Sequence, residues 1–135
     1  MDGTPSVGRV LVVEAGDLRG RIVDRFKGDG WEVRESGSLR EAISAAQTEQ
    51  PHVVVIALVL PDASGLGLAR SLRVVVEHDL LVLAISDDAH AASAEAREAG
   101  FDAVFGAPLD LDQLVRAASA IDEHRRTVKM PRLGR

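Results

Sequence analysis

Five carboxylates stand where apolar runs give way to polar sequence: Glu14, Asp17, Asp62, Asp87 and Asp88, with a hydroxyl at Ser86. Acids gathered at one edge of a fold can hold a hard divalent cation, because magnesium takes oxygen ligands in near-octahedral order. The same acids have a local use. Asp17 and either Asp87 or Asp88 precede amphipathic stretches, where a carboxylate satisfies free amides and complements the helix dipole. Capping accounts for most of them, so no metal site is expected. The histidines, His52, His78, His90 and His124, form no His-x-x-x-His pair, and zinc is not expected either. Ser86 has no adjacent general base and lies in no Gly-x-Ser-x-Gly elbow, so its hydroxyl is read as satisfying backbone groups at a strand end. Gly65-Leu66-Gly67 begins like a dinucleotide fingerprint, but Arg70 occupies the third glycine position. Nothing supplies a nucleophile, a base and a charge stabiliser together, so an enzyme is not expected.

Composition narrows the classes further. The chain has 135 residues, 46% apolar and 27% charged, which suits one soluble globular domain. It contains no cysteine, which removes disulfides, thiolate metal sites and a cysteine nucleophile. No apolar run approaches the ~18 residues of a membrane span, so a cytoplasmic protein without membrane contact is expected. Residues 125–135 carry five basic groups (Arg125, Arg126, Lys129, Arg132, Arg135) and no acid, within a net charge of −5. The remaining body is acidic and therefore a poor platform for nucleic-acid phosphates. Aromatic residues are 3%, with no tyrosine, which argues against base stacking. The expected organisation is a loose N-terminus over 1–8, one domain over 9–124 and a solvated basic tail over 125–135.

The elements that position these groups alternate between two periods. Val10-Leu11-Val12-Val13 is a β-branched run, and Asp17 opens a helix with Leu18, Ile22 and Phe26 on one face, closed by Gly28 and Gly30. Trp31-Glu32-Val33 reads as a second strand. Ser38-Leu39-Arg40-Glu41 is a capping box for a helix running to about Glu49, ahead of Pro51. Val53 to Ala57 and Leu80 to Ile85 are apolar at every residue, as in strands covered on both faces. Between them lie a loop over 61–65 and a helix from about Leu66 to Glu77, whose Val74-Val75-Val76 run must leave one valine facing solvent or a partner. An alanine-rich helix over 89–99 ends at Gly100. A short strand over 101–105 precedes Pro108 and a last helix capped by Asp110, with Leu111, Leu114, Val115, Ala118 and Ile121 inward. Five βα units with short connections predict an α/β fold, a doubly wound five-stranded parallel sheet with helices on both faces. No carboxylate stands on the third strand to complete a metal cage.

This register resembles the receiver domain of bacterial response regulators over residues 8 to 124. The landmarks are a first strand ending at Glu14, a third ending at Ala57, Pro61 and Gly65 in the loop after it, Ser86 at the end of the fourth, and Ala107-Pro108 after the fifth. The resemblance implies a flavodoxin-like sheet of order 2-1-3-4-5 with a site at the carboxyl ends of the strands. It implies phosphoryl transfer to an aspartate, assisted by a magnesium ion, a hydroxyl and a lysine.

The departures from that pattern decide the functional expectation. Ala57 occupies the acceptor position, Ala107 the lysine position, and Glu14-Ala15 the acidic pair; Ser86 keeps the hydroxyl, and Val104 stands where the family's activation-reporting aromatic would be. Alanines in place of several partnered charges remove the cost of leaving any one of them buried alone. The chain is thus expected to be a phosphorylation-independent pseudo-receiver that binds a protein partner or a second copy of itself. The resemblance places that face on the fourth helix, fifth strand and fifth helix, where Arg97, Asp102 and Arg116 are the candidate charges. The alternative is a small-molecule sensor that uses the emptied pocket. No cofactor is expected.

Overall fold

The computed structural model describes residues 8–60 and 64–119. Its elements are β1 (Arg9–Val13), α1 (Leu18–Gly28), β2 (Glu32–Ser36), α2 (Leu39–Glu49), β3 (Val53–Ala57), a 3₁₀ turn (Gly65–Gly67) leading into α3 (Leu68–Val75), β4 (Leu81–Ile85), α4 (Ala89–Glu98), β5 (Ala103–Phe105) and α5 over 111–119. The strands form one parallel sheet of order β2-β1-β3-β4-β5; the alternation of periods predicted the parallel sheet, and the family resemblance implied its order.

Strand alternation divides the apolar residues between two faces. Leu11, Val13, Val54, Ile56, Val82 and Ala84 pack under α2, α3 and α4. Val10, Val12, Val53, Val55, Leu81 and Leu83 pack under α1 and α5, with Phe26 and Trp31 in edge-on contact. Every residue of β3 and β4 is buried, which explains why these two runs are apolar throughout. Each fully buried Val, Leu or Ile contributes about 1.5–3 kcal/mol relative to exposure.

Several boundaries differ from the sequence expectation. β2 runs three residues further, to Ser36; as the sheet's edge strand it is mostly exposed, so its polar residues hid it. α3 ends at Val75, because Val76 turns extended and buries its side chain beneath the sheet end. Val74 is the solvent-facing valine of its run. β5 shrinks to three residues: Phe101 is buried ahead of it, and the Asp102 amide bonds Val82 O at 2.8 Å.

Caps also divide into met and unmet expectations. Ser38 Oγ accepts the Glu41 amide, while the Glu41 carboxylate reaches back to the Gly37 amide at 2.9 Å. Asp88 accepts the Ala91 amide at 3.0 Å and Asp110 the Gln113 amide at 3.2 Å. Asp17 stands before α1 with helical dihedrals and makes no side-chain cap; Gly16 O takes the Arg19 amide instead. Pro61, Asp62, Ile121, His124 and the 125–135 segment lie outside the described residues.

Candidate functional site at the carboxyl edge of the sheet

Parallel strands end together, so the first residue beyond each one is delivered to the same edge. The ladder continues one step past the strands to fix those residues. The Glu14 amide bonds Ser36 O at 3.0 Å, the Leu58 amide bonds Ile85 O at 3.0 Å, and the Ser86 amide bonds Phe105 O at 2.9 Å. The side chains at these positions are thereby set by backbone hydrogen bonds, not by loop packing alone.

A cavity of about 190 Å³ opens at this edge, lined by Glu14, Leu18, Ala57, Leu58, Val59, Ile85, Ser86 and Asp87. Three of the sequence-selected residues, Glu14, Ala57 and Ser86, therefore share one pocket. Ala15, Val104 and Ala107 are not among its lining residues. Val104 is half-buried against the α2–α3–α4 face of the core, opposite Ala84 of β4. Ala107 is joined to Pro108 by a cis peptide in the loop after β5.

The polar groups of the pocket are held locally. Glu14 Oε1 accepts the Gly16 amide at 2.7 Å, so the carboxylate folds over its own loop. The Ser86 hydroxyl accepts the Asp88 amide at 3.2 Å and donates to Asp88 O at 3.3 Å, the backbone role expected for it. The Asp87 carboxylate has no partner among the described residues. Ala57 is 7% exposed and presents only a methyl group.

The loop after β3 is pinned against this methyl. The Gly65 amide bonds Leu58 O at 2.8 Å. A Cβ added to Gly65 would stand 2.4 Å from Ala57 O and 2.9 Å from Ile56 Cγ2, so only glycine permits the approach. Val59 and Ser64 form an isolated antiparallel bridge across the same loop. Val59 itself is 84% exposed at the mouth of the cavity. Sequence reading passed over Val59 because it follows an unbroken apolar run; its position before Pro61 was the available signal. Gly106, after β5, is pressed onto the first residue of α4: a Cβ there would lie 2.9 Å from Ala89 Cβ.

The face formed by α4, β5 and α5 carries the three selected charges in different states. Arg97 and Arg116 are exposed on α4 and α5. Asp102 is not a free surface charge. Its carboxylate accepts the Val82 amide at 2.8 Å and pairs with Arg73 at 3.1 Å, while Arg73 also donates to Leu80 O and Gly100 O. The ion pair ties the end of α3 to the start of β4 and β5. On the opposite flank, Arg25 of α1 pairs with Asp112 of α5. That contact, first as hydrogen bond and then as charge, holds the Asp112 carboxyl below the usual carboxylate value and raises Arg25 above its own.

Two of the histidines meet in the fold. His52 and His78, distant in sequence, stack with ring centroids 5.0 Å apart at the amino edge of the sheet. His52 Nδ1 accepts the Arg9 amide and His78 Nε2 bonds Pro51 O, so both rings brace backbone. No group of three or more His, Asp or Glu able to hold a metal occurs among the described residues. No helix among them is long and apolar enough to cross a membrane.

The strand order and the carboxyl-edge pocket are those of a flavodoxin-like receiver fold. The sequence matches the response regulator receiver domain family over residues 10–119, and the chain belongs to that family of two-component signal transduction. It is 37% identical over 73 residues to the probable transcriptional regulatory protein TcrX of Mycobacterium tuberculosis, covering 53% of this chain and 30% of that one. It is 29% identical over 120 residues to the KDP operon transcriptional regulatory protein KdpE of Escherichia coli, covering 87% of this chain and 53% of that one. The chain thus spans about half or less of the length of these curated relatives. The receiver domain of the Francisella response regulator 1452 superposes with a TM-score of 0.76 at 22% identity, covering 87% of this chain and 98% of that one, which speaks for the fold alone.

Proposed function

We propose that this receiver signals without phosphorylation, as a non-enzymatic module in the cytoplasm that engages a protein partner or a second copy of itself. The observation that carries the reading is Ala57, a methyl group at the carboxyl end of β3, where the family resemblance places the phosphoryl acceptor. Ala107 offers no ammonium to balance a phosphoryl group, and Ala15 offers no carboxylate beside Glu14 for a metal. A receiver normally shifts between two states because the phosphoryl group binds one of them better; without that ligand, the shift must come from a partner. Arg97 on α4 and Arg116 on α5 are the exposed charges we assign to the partner face, with Asp102 beside them and paired to Arg73. The receiver unit comprises residues 9–124 on this reading, flanked by 1–8 and by the basic segment 125–135.

The test is direct. Incubation with magnesium and acetyl phosphate, followed by intact mass measurement, should give the unmodified mass. A stoichiometric phosphoryl adduct would end the proposal. A second reading is a small-molecule sensor that uses this cavity, although its volume of about 190 Å³ lies below the ~300–1,000 Å³ of most ligand sites. A metabolite that binds the native state alone would raise the melting temperature, and that rise would favour the sensor.

A further inference from the structure

α4 is fastened at its carboxyl end by side chains of another helix. Of its ten residues only Ala96 is buried, whereas α1 buries Ile22, Val23 and Phe26 and α3 buries Leu68, Ala69 and Leu72. One buried methyl contributes little, and elements with few buried apolar groups open locally at low cost. The last turn of a helix also carries carbonyls with no amide partner inside the helix. Here α3 supplies the donors. Arg70 donates to Glu98 O, and Arg73 donates to Gly100 O at 2.7 Å. Gly100, at φ +98°, leaves the helix beside both: a Cβ there would stand 3.8 Å from Arg70 Cγ and 3.9 Å from Arg73 Nε. Two guanidinium groups thus satisfy these carbonyls and face the negative end of the helix dipole. At the amino end Asp88 caps the helix, and Gly106 lies against Ala89.

We propose that Arg70 and Arg73 form a latch that holds α4 on the sheet, and that α4 opens as a unit, releasing the latch, while β3 and β4 stay folded. Charged donors make the stronger hydrogen bonds, so the latch and not apolar burial sets how often α4 opens. Arg97, assigned above to the partner face, rides on α4. The latch therefore governs whether that charge is presented, and a partner that prefers one position of α4 shifts the equilibrium. This consequence rests on the interaction-module reading.

The test is amide hydrogen exchange followed residue by residue by NMR, in the parent protein and in Arg70→Met, Arg73→Met and Lys27→Met, the last an exposed control on α1. In the parent, amides from Ala92 to Gly100 should exchange at least about tenfold faster than those of β3 and β4 after correction for intrinsic rates, with a weaker dependence on urea. Arg70→Met and Arg73→Met should each speed the α4 amides together by about fivefold or more, since each removes a charged hydrogen bond that opening must break. Lys27→Met should leave them unchanged. Exchange of α4 at the rate and urea dependence of β3 and β4 would overturn the proposal. So would unchanged α4 exchange in Arg70→Met, a gain confined to the last turn, or an equal gain from Lys27→Met. A phosphoryl adduct in the mass experiment would remove the phosphorylation-independent reading and leave this exchange pattern standing, so the two failures are told apart.

Discussion

Restoring a carboxylate at the end of β3 is the sharpest perturbation available. Ala57 is 7% exposed, and its pocket already contains Glu14 and Asp87 without a cation among the described lining residues. Burying an uncompensated polar group costs about 1–3 kcal/mol in protein mutational series, and an ionised one costs more unless it takes up a proton. In Ala57→Asp, burial and two like charges both raise the folded-state pKa of the new carboxyl. The folded state then binds more protons than the unfolded one, so the variant loses stability as pH rises through the unfolded and then the folded pKa. Each unit of elevation corresponds to about 1.4 kcal/mol. Thermal melts at pH 5 and pH 8 should show a drop of about 2–8 °C per kcal/mol, larger at pH 8. Ala57→Asn, neutral and of similar shape, should lose less and show no added pH dependence. Magnesium should recover none of the loss, because Ala15 leaves the cage incomplete. An Ala57→Asp protein as stable as the parent at pH 8, or one that magnesium rescues and acetyl phosphate modifies, would refute the account of this pocket.

Three further outcomes follow from the geometry. Gly65→Ala should destabilise by about 1–3 kcal/mol, measured by urea unfolding, because the new Cβ meets backbone at Ala57 O and not a yielding side chain. Asp102→Ala should cost about 1–3 kcal/mol in the same assay, since it leaves the buried Val82 amide and the Arg73 guanidinium each short of an acceptor, whereas Arg97→Ala should leave stability unchanged. Asp112→Asn should lower the melting temperature slightly at pH 7. Pairing with Arg25 depresses the folded-state pKa of Asp112. Its contribution is therefore present above the unfolded carboxylate value and is lost as pH falls through the folded one, so the difference from the parent should close in acid. A difference that persists unchanged into acid would exclude the ion pair as its source.

The sequence by itself determined the architecture. Two fully apolar runs, Val53–Ala57 and Leu81–Ile85, could be covered only from both sides, and helical periods between strands required parallel crossovers; the strand order came from the resemblance to receiver domains. Ser38, Asp88 and Asp110 declared their helices because a cap is a short-range hydrogen bond, readable within four residues. Asp17 looked the same in sequence, yet the Arg19 amide found Gly16 O and not its carboxylate. Edge strand β2 was legible only in part, because a strand with one neighbour and an exposed outer row does not advertise itself by apolar content.

Tertiary structure decided what the charges and the pocket are. Asp102 and Arg73 are 29 residues apart, and only the meeting of α3 with the sheet's amino edge turns a surface acid into a structural one. His52 and His78 became a pair for the same reason. Which residues surround Ala57, and that Val59 stands open beside it, depended on three strands ending together and on Gly65 closing against β3. Residue types and local spacing fix short-range hydrogen bonds and periodicity; the company a side chain keeps is set by contacts whose sequence separation carries no local signal.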